Sequence, residues 1–202
     1  GAHEVQASGV VLATGARELL LPFPGWTLPG VVGVGGAQAL LKSGLDVRGL
    51  RVVLAGTGPL LLPVAAALAA AGARIVAVAE QAPWSRVARF AAGLWRSPGR
   101  LVQAARYRAA FARTRYLTGT WVVGADGAAH VRTATLTDGA ASRTVECDLL
   151  CVGWSLVPAT ELAVLAGCAL RDGFVLHRVG DAVASRDIHA TILEAFRLCI
   201  RL

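Results

Sequence analysis

The chain has no methionine and a single lysine, Lys42, and aromatic residues make up only 6% of it. A start at Gly1-Ala2-His3 rather than at methionine is the start expected of a processed chain or of one begun partway through a longer gene product. The first residues lack a basic region followed by an apolar stretch, so no signal peptide is expected. Four cysteines (Cys147, Cys151, Cys168, Cys199) form no C-x-x-C pair and follow no zinc spacing, which argues against zinc modules and thioredoxin-like redox motifs. Buried free thiols in a reducing, cytoplasmic compartment are the expectation, and no metal site is expected. No Ser-His-Asp set is legible either, so the catalytic residues are left open.

What is present is apolar and basic. The 202 residues suffice for one large or two small domains with a sizeable core. The net charge of +7 is almost all arginine. A basic balance alone is weak evidence for nucleic acid or anionic membrane as a partner, and neither is expected here.

The stretch RVVLAGTGPLLLPVAAALAAAGARIVAVAE, from Arg51 to Glu80, reads as one βαβ unit. A buried strand over Val52 to Ala55 enters the turn Gly56-Thr57-Gly58. A helix follows from about Pro59 to Ala71, and a second strand, Arg74 to Ala79, ends on Glu80. A β-branched strand meeting Gly-x-Gly at a helix N-terminus is the plan of a Rossmann-like dinucleotide-binding fold. The glycines permit a tight turn and close approach of backbone to a pyrophosphate, and the helix start offers unpaired N–H groups. Glu80, 24 residues after Gly56, stands where a carboxylate would accept hydrogen bonds from an adenosine ribose. Leu61 replaces the third glycine of G-x-G-x-x-G. The 22 uncharged residues from Val52 to Ala73 are long enough to span a bilayer, but the glycines and prolines of their first half favour a buried βαβ.

Upstream, GVVLATG (residues 9–15) reads as a buried strand ending in a tight turn. The run VVLATGARELLLPFPGWTLPGVVGVGGAQALLKSG resembles the two-dinucleotide-domain flavoprotein superfamily. In that superfamily an A-T-G strand end closes the first part of the FAD domain and a G-W-x-L-P-G-V segment leads into the nicotinamide-type domain. The resemblance extends to the group containing flavoprotein subunits of hydrogen cyanide synthase, opine oxidase and dye-linked proline dehydrogenase. Their second dinucleotide fold tends to read A-G-x-G-P-L-L-L, as Ala55 to Leu62 do here, so Leu61 is typical of the group. Gly33-Val34-Gly35 reads as a turn entering a short connecting helix, Ala37 to Lys42, rather than as a phosphate site.

After Glu80, residues 85–116 hold eight arginines and no acid, interleaved with Trp84, Phe90, Trp95 and other apolar residues and split by Pro98-Gly99. Two amphipathic outer helices covering the sheet are expected, with nucleic-acid, anionic-lipid or partner-subunit docking as the competing uses. From Thr118 a β-meander is expected, with turns at Asp126-Gly127 and Asp138-Gly139. The stretch CDLLCVGWSLVP resembles the superfamily's exit motif, with Gly153 and Pro158 in place. Trp154 there could border a flavin or sit in the core. In the tail, Val179-Gly180-Asp181 resembles the segment that closes the FAD site, where the aspartate accepts a hydrogen bond from a ribityl hydroxyl. An N-cap or turn aspartate is the plainer alternative. His189 could be a base, though a structural histidine is the more ordinary reading.

The expected class is therefore α/β: a Rossmann-like domain with a meander (residues 49–152) inserted in an incomplete FAD-binding domain (residues 1–48 and 153–202). The first βαβ of that FAD domain would lie upstream of residue 1. The resemblance implies an FAD-dependent oxidoreductase, an amine or amino-acid dehydrogenase-like flavoprotein subunit or segment. It would act on a small-molecule amine or amino acid beside a partner oxidoreductase subunit. A non-catalytic adenine-nucleotide-binding or subunit-docking module is the alternative. FAD would be held by Thr14, Gly15, Gly180 and Asp181. NAD(P) or another adenine nucleotide, or nothing, would sit at Gly56, Thr57, Gly58 and Glu80.

Overall fold

The computed structural model describes residues 12, 14–96 and 98–165. The chain divides into two units, Gly1–Arg17 with Leu156–Leu202, and Glu18–Ser155. In chain order the elements are β1 (Ala16–Leu19), β2 (Val31–Gly33), α1 (Val34–Lys42), β3 (Arg51–Gly56), α2 (Leu61–Ala70), β4 (Arg74–Glu80) and α3 (Trp84–Gly93). A 3-10 turn at Leu94–Arg96 leads to α4 (Pro98–Ala110), β5 (Arg115–Thr118), β6 (Trp121–Asp126), β7 (Thr133–Thr137), β8 (Ser142–Glu146), β9 (Leu149–Gly153), β10 (Ser155–Pro158) and α5 (Glu161–Leu165).

The second unit is built on a five-stranded parallel sheet in the order β2-β9-β3-β4-β5. Alternation along β3 divides the core. Val52 and Leu54 face a layer of helices with Leu61, Val64 and Leu68 of α2 and Val34 and Ala37 of α1. Val53 and Ala55 face the antiparallel meander β6-β7-β8, against Val122, Ala134 and Leu136. A strand covered on both faces has no place for a charge, which accounts for the uncharged run from Val52 onward. Among the described residues no helix is long and apolar enough to cross a membrane.

Local signals end α2 where the sequence suggests. Pro63 falls in the first helical turn, where its missing N–H costs no intrahelical bond. Gly72 takes φ +92°, and Ala73 N–H returns to the Leu68 carbonyl at 3.0 Å, closing a Schellman-type end. In the meander, the Asp138 carboxylate accepts the Ala140 and Ala141 N–H groups at 3.0 and 2.8 Å, forming the expected turn at Asp138-Gly139.

Residues 18–48 lie in the same unit as the nucleotide fold, where Val31–Gly33 pairs with Leu150–Val152 of β9. Two expectations change. Helix α1 begins at Val34 rather than Ala37, because the Glu18 carboxylate accepts the Gly35 and Gly36 N–H groups at 2.7 and 3.0 Å and caps it. The basic helices do not blanket the sheet: α4 packs on α2, but neither α3 nor α4 contributes a buried side chain. Arg108 does pack as expected, bonding the Phe111 and Thr114 carbonyls with its guanidinium 5.3 Å from the Phe111 ring centre. Most of residues 9–15 falls outside the described part. The described strand lies just beyond it, at β1, while Leu12 and Thr14 are exposed.

Candidate functional site

The turn Gly56-Thr57-Gly58 lies at the carboxyl edge of the parallel sheet, the edge at which open α/β folds bind ligands. Its two glycines serve different ends. A Cβ on Gly56 would lie 1.7 Å from the Gly153 carbonyl oxygen and 2.9 Å from the Gly153 nitrogen. Gly56 is therefore required by the approach of β9. Gly58 takes φ +97°, and a Cβ there would meet nothing within 4 Å, so it is required by the turn and borders open space.

Glu80 is 3% exposed, and its carboxylate is turned onto the glycine turn. One oxygen accepts the Thr57 hydroxyl at 2.8 Å and the Ala82 N–H at 3.0 Å, while the other accepts the Gly58 N–H at 3.1 Å. Two charge-assisted bonds from the turn make Glu80 its brace. The carboxylate expected to accept from a ribose thus also closes on the glycine turn.

The backbone donors can be followed one by one. Thr57 N–H is held by the Gly153 carbonyl at 2.8 Å, Gly58 N–H by Glu80, and Pro59 has none. Leu60 N–H has no acceptor among the described residues, and Leu61 and Leu62 make only long 3.4 Å bonds to the Gly58 and Pro59 carbonyls. Donor capacity thus survives at the first turn of α2, beside the open space at Gly58, and this arrangement fits one phosphate group.

Burial, with the Glu80 charge adding to it, pushes the Tyr116 hydroxyl up to about 12. Burial likewise pushes the Cys147 thiol up to about 11 and the Cys151 thiol up to about 12. Both cysteines are free and buried. Among the described residues no cluster of three or more His, Cys, Asp or Glu side chains could hold a metal. Trp154 is half-buried, with its ring centre 6.1 Å from that of Phe23 at an interplanar angle of 60°. That edge-on contact is a core packing role.

In the first unit, Thr14 is exposed and its hydroxyl donates to the Ala159 carbonyl. Gly15 takes φ +65° and its carbonyl accepts the Ala159 N–H at 2.9 Å. The ion pair Arg17–Glu161, at 3.1 Å, fastens the same corner. Gly180, Asp181 and His189 lie outside the described residues. Sequence reasoning did not foresee these roles for Pro59, Gly153 and Glu18. Only Pro59 carried a readable signal, its missing N–H, whereas the other two act through contacts far apart in the chain.

Residues 1–186 match the model of the pyridine nucleotide-disulphide oxidoreductases, and the chain belongs to this family of FAD- and NAD(P)-binding oxidoreductases. Among its relatives, the chain is 36% identical over 188 residues to hydrogen cyanide synthase subunit HcnB of Pseudomonas aeruginosa, covering 85% of this chain and 39% of that protein. It is 34% identical over 179 residues to an opine oxidase subunit from Agrobacterium tumefaciens, covering 84% of this chain and 34% of the relative. The chain thus spans well under half the length of these relatives. Among solved structures, a ferredoxin reductase from Rhodopseudomonas palustris is 28% identical with a TM-score of 0.54, covering 77% of this chain and 36% of that one. An amine oxidase from Pseudomonas geniculata, at 20% identity, shares the fold with a TM-score of 0.64 over 95% of this chain and 28% of that one.

Proposed function

We propose that the chain is part of an FAD-dependent amine or amino-acid dehydrogenase-like flavoprotein subunit, carrying its second dinucleotide fold. The observation that carries the reading is the family match over residues 1–186, which takes in both the A-T-G corner and the braced glycine turn. The relatives named as subunits of hydrogen cyanide synthase and opine oxidase support a subunit role with a small amine or amino acid as substrate. Thr14, Gly15, Gly180 and Asp181 would face FAD, which when bound accepts a hydride or electrons from the substrate. This chain's own residues orient and anchor. The Thr14–Ala159 and Arg17–Glu161 contacts hold the corner beside Gly15. Glu80 holds the glycine turn so that the N–H groups of Leu60 to Leu62 remain for an adenine nucleotide's phosphate.

The alternative is a non-catalytic adenine-nucleotide-binding or docking module. It draws on the same turn and on the absence of a paired acid and base among the described residues around it. Two titrations separate the readings. Flavin absorbance that stays with the purified protein through gel filtration after FAD is added supports the first reading, and its loss overturns that reading for this polypeptide. Titration with NADH, NADPH, ADP and ATP tests the turn in both. Gly58→Trp, which fills the open space beside Leu60, is expected to weaken adenine-nucleotide binding at least tenfold. Unchanged affinity removes the turn as the site.

A further inference from the structure

The positive charge of this protein is concentrated in one segment. From Gln81 to Ala125 there are eight arginines and no acidic residue, while the rest of the chain carries 12 basic residues against 13 acidic ones. Within that segment α3 contributes no buried side chain. Trp84 is 67% exposed, Phe90 55% and Trp95, in the turn that follows, 69%. Large aromatic surface left in water beside the guanidinium groups of Arg86 and Arg89 is the composition of a protein–protein contact, where tryptophan and arginine dominate binding energy.

At 3.6 residues per turn, Trp84, Ala88 and Ala91 share one face of α3, Arg86 and Arg89 lie on the other, and Phe90 stands at the border. Neither Arg86 nor Arg89 has a carboxylate partner among the described residues. This distribution discriminates between occupants. A bilayer surface meets one face of a helix, and a nucleic-acid duplex, its bases already stacked, engages the arginines while leaving the indoles in water. A protein groove lined with carboxylates takes both faces at once, and arginine forks match carboxylates bidentately.

We propose that the α3 surface of Trp84, Arg86, Arg89, Phe90 and Trp95 is the docking site for an acidic groove on a partner oxidoreductase subunit. The proposal rests on the reading of the chain as part of a multi-subunit oxidoreductase. It fails separately from that reading, since the flavin and nucleotide titrations do not involve α3.

The test places photoreactive p-benzoylphenylalanine at Phe90 in the full-length protein in its own host, with the same group at Arg143 on the meander as control. The expected result is a single adduct from position 90, identified by mass spectrometry as an oxidoreductase subunit joined through an acidic peptide. Its yield should fall at least tenfold in the Arg86→Glu/Arg89→Glu double variant. Because α3 buries no side chain, thermal melting of that variant should match the parent. An adduct to lipid, to nucleic acid or to the chain itself overturns the proposal. So does no adduct, an equal yield from position 143, or a yield unmoved by charge reversal.

Discussion

Gly56→Ala is expected to be far more damaging than Gly58→Ala, although both positions belong to one Gly-x-Gly motif. At Gly56 the new methyl would lie 1.7 Å from the Gly153 carbonyl oxygen. A normal contact lies beyond about 3.4 Å, so β3 and β9 must separate by well over an ångström where Gly56 pairs with Gly153. That movement breaks the 2.8 Å bond from Thr57 N–H to the Gly153 carbonyl. The lost bond costs about 1 kcal/mol, and forcing a methyl into a packed core costs about 1–3 kcal/mol. The sum, about 2–4 kcal/mol, is a large share of a domain's total stability of about 5–15 kcal/mol. At Gly58 the methyl meets nothing, and the cost is the left-handed backbone alone, about 1–2 kcal/mol. Urea unfolding of the two variants beside the parent measures both. Equal losses, or a larger loss for Gly58→Ala, would refute the assignment of Gly56 to strand contact rather than to ligand approach.

The remaining predictions concern ionisable groups. Hydrogen bonds from Arg51, led by its guanidinium, hold the Asp148 carboxyl at about 2, below the usual carboxylate range. A depressed folded-state value contributes stability that is present above the unfolded value near pH 4 and is lost as pH falls towards 2. Unfolding midpoints followed from about pH 6 to about pH 2 should therefore fall more steeply in the parent than in Asp148→Asn. Cys147 and Cys151, buried and raised, should escape iodoacetamide at about pH 8 in the native protein and react in denaturant, as read by peptide mapping. Labelling of either in the native state would show that this core opens.

The order of elements was legible because each rests on short-range signals. The β-branched pair Val52-Val53 announced a buried strand, and Asp138-Gly139 a hairpin. The candidate turn was legible for the same reason: Gly56, Thr57 and Gly58 are neighbours in sequence. What each of them does was not. Gly56 is answered by Gly153, and Glu80 by Thr57 and Gly58, and such pairings depend on which strand lies beside which.

The sequence by itself determined the class of fold and the place of the glycine turn, since periodicity and turn chemistry act over a few residues. Only the tertiary structure decided that Glu80 closes on the turn. It also decided that Glu18 occupies the start of α1 and that the aromatic side chains of α3 stand in solvent. Each of those is settled by whether another segment supplies a donor, an acceptor or a covering surface, and the chain reveals that only once it is folded.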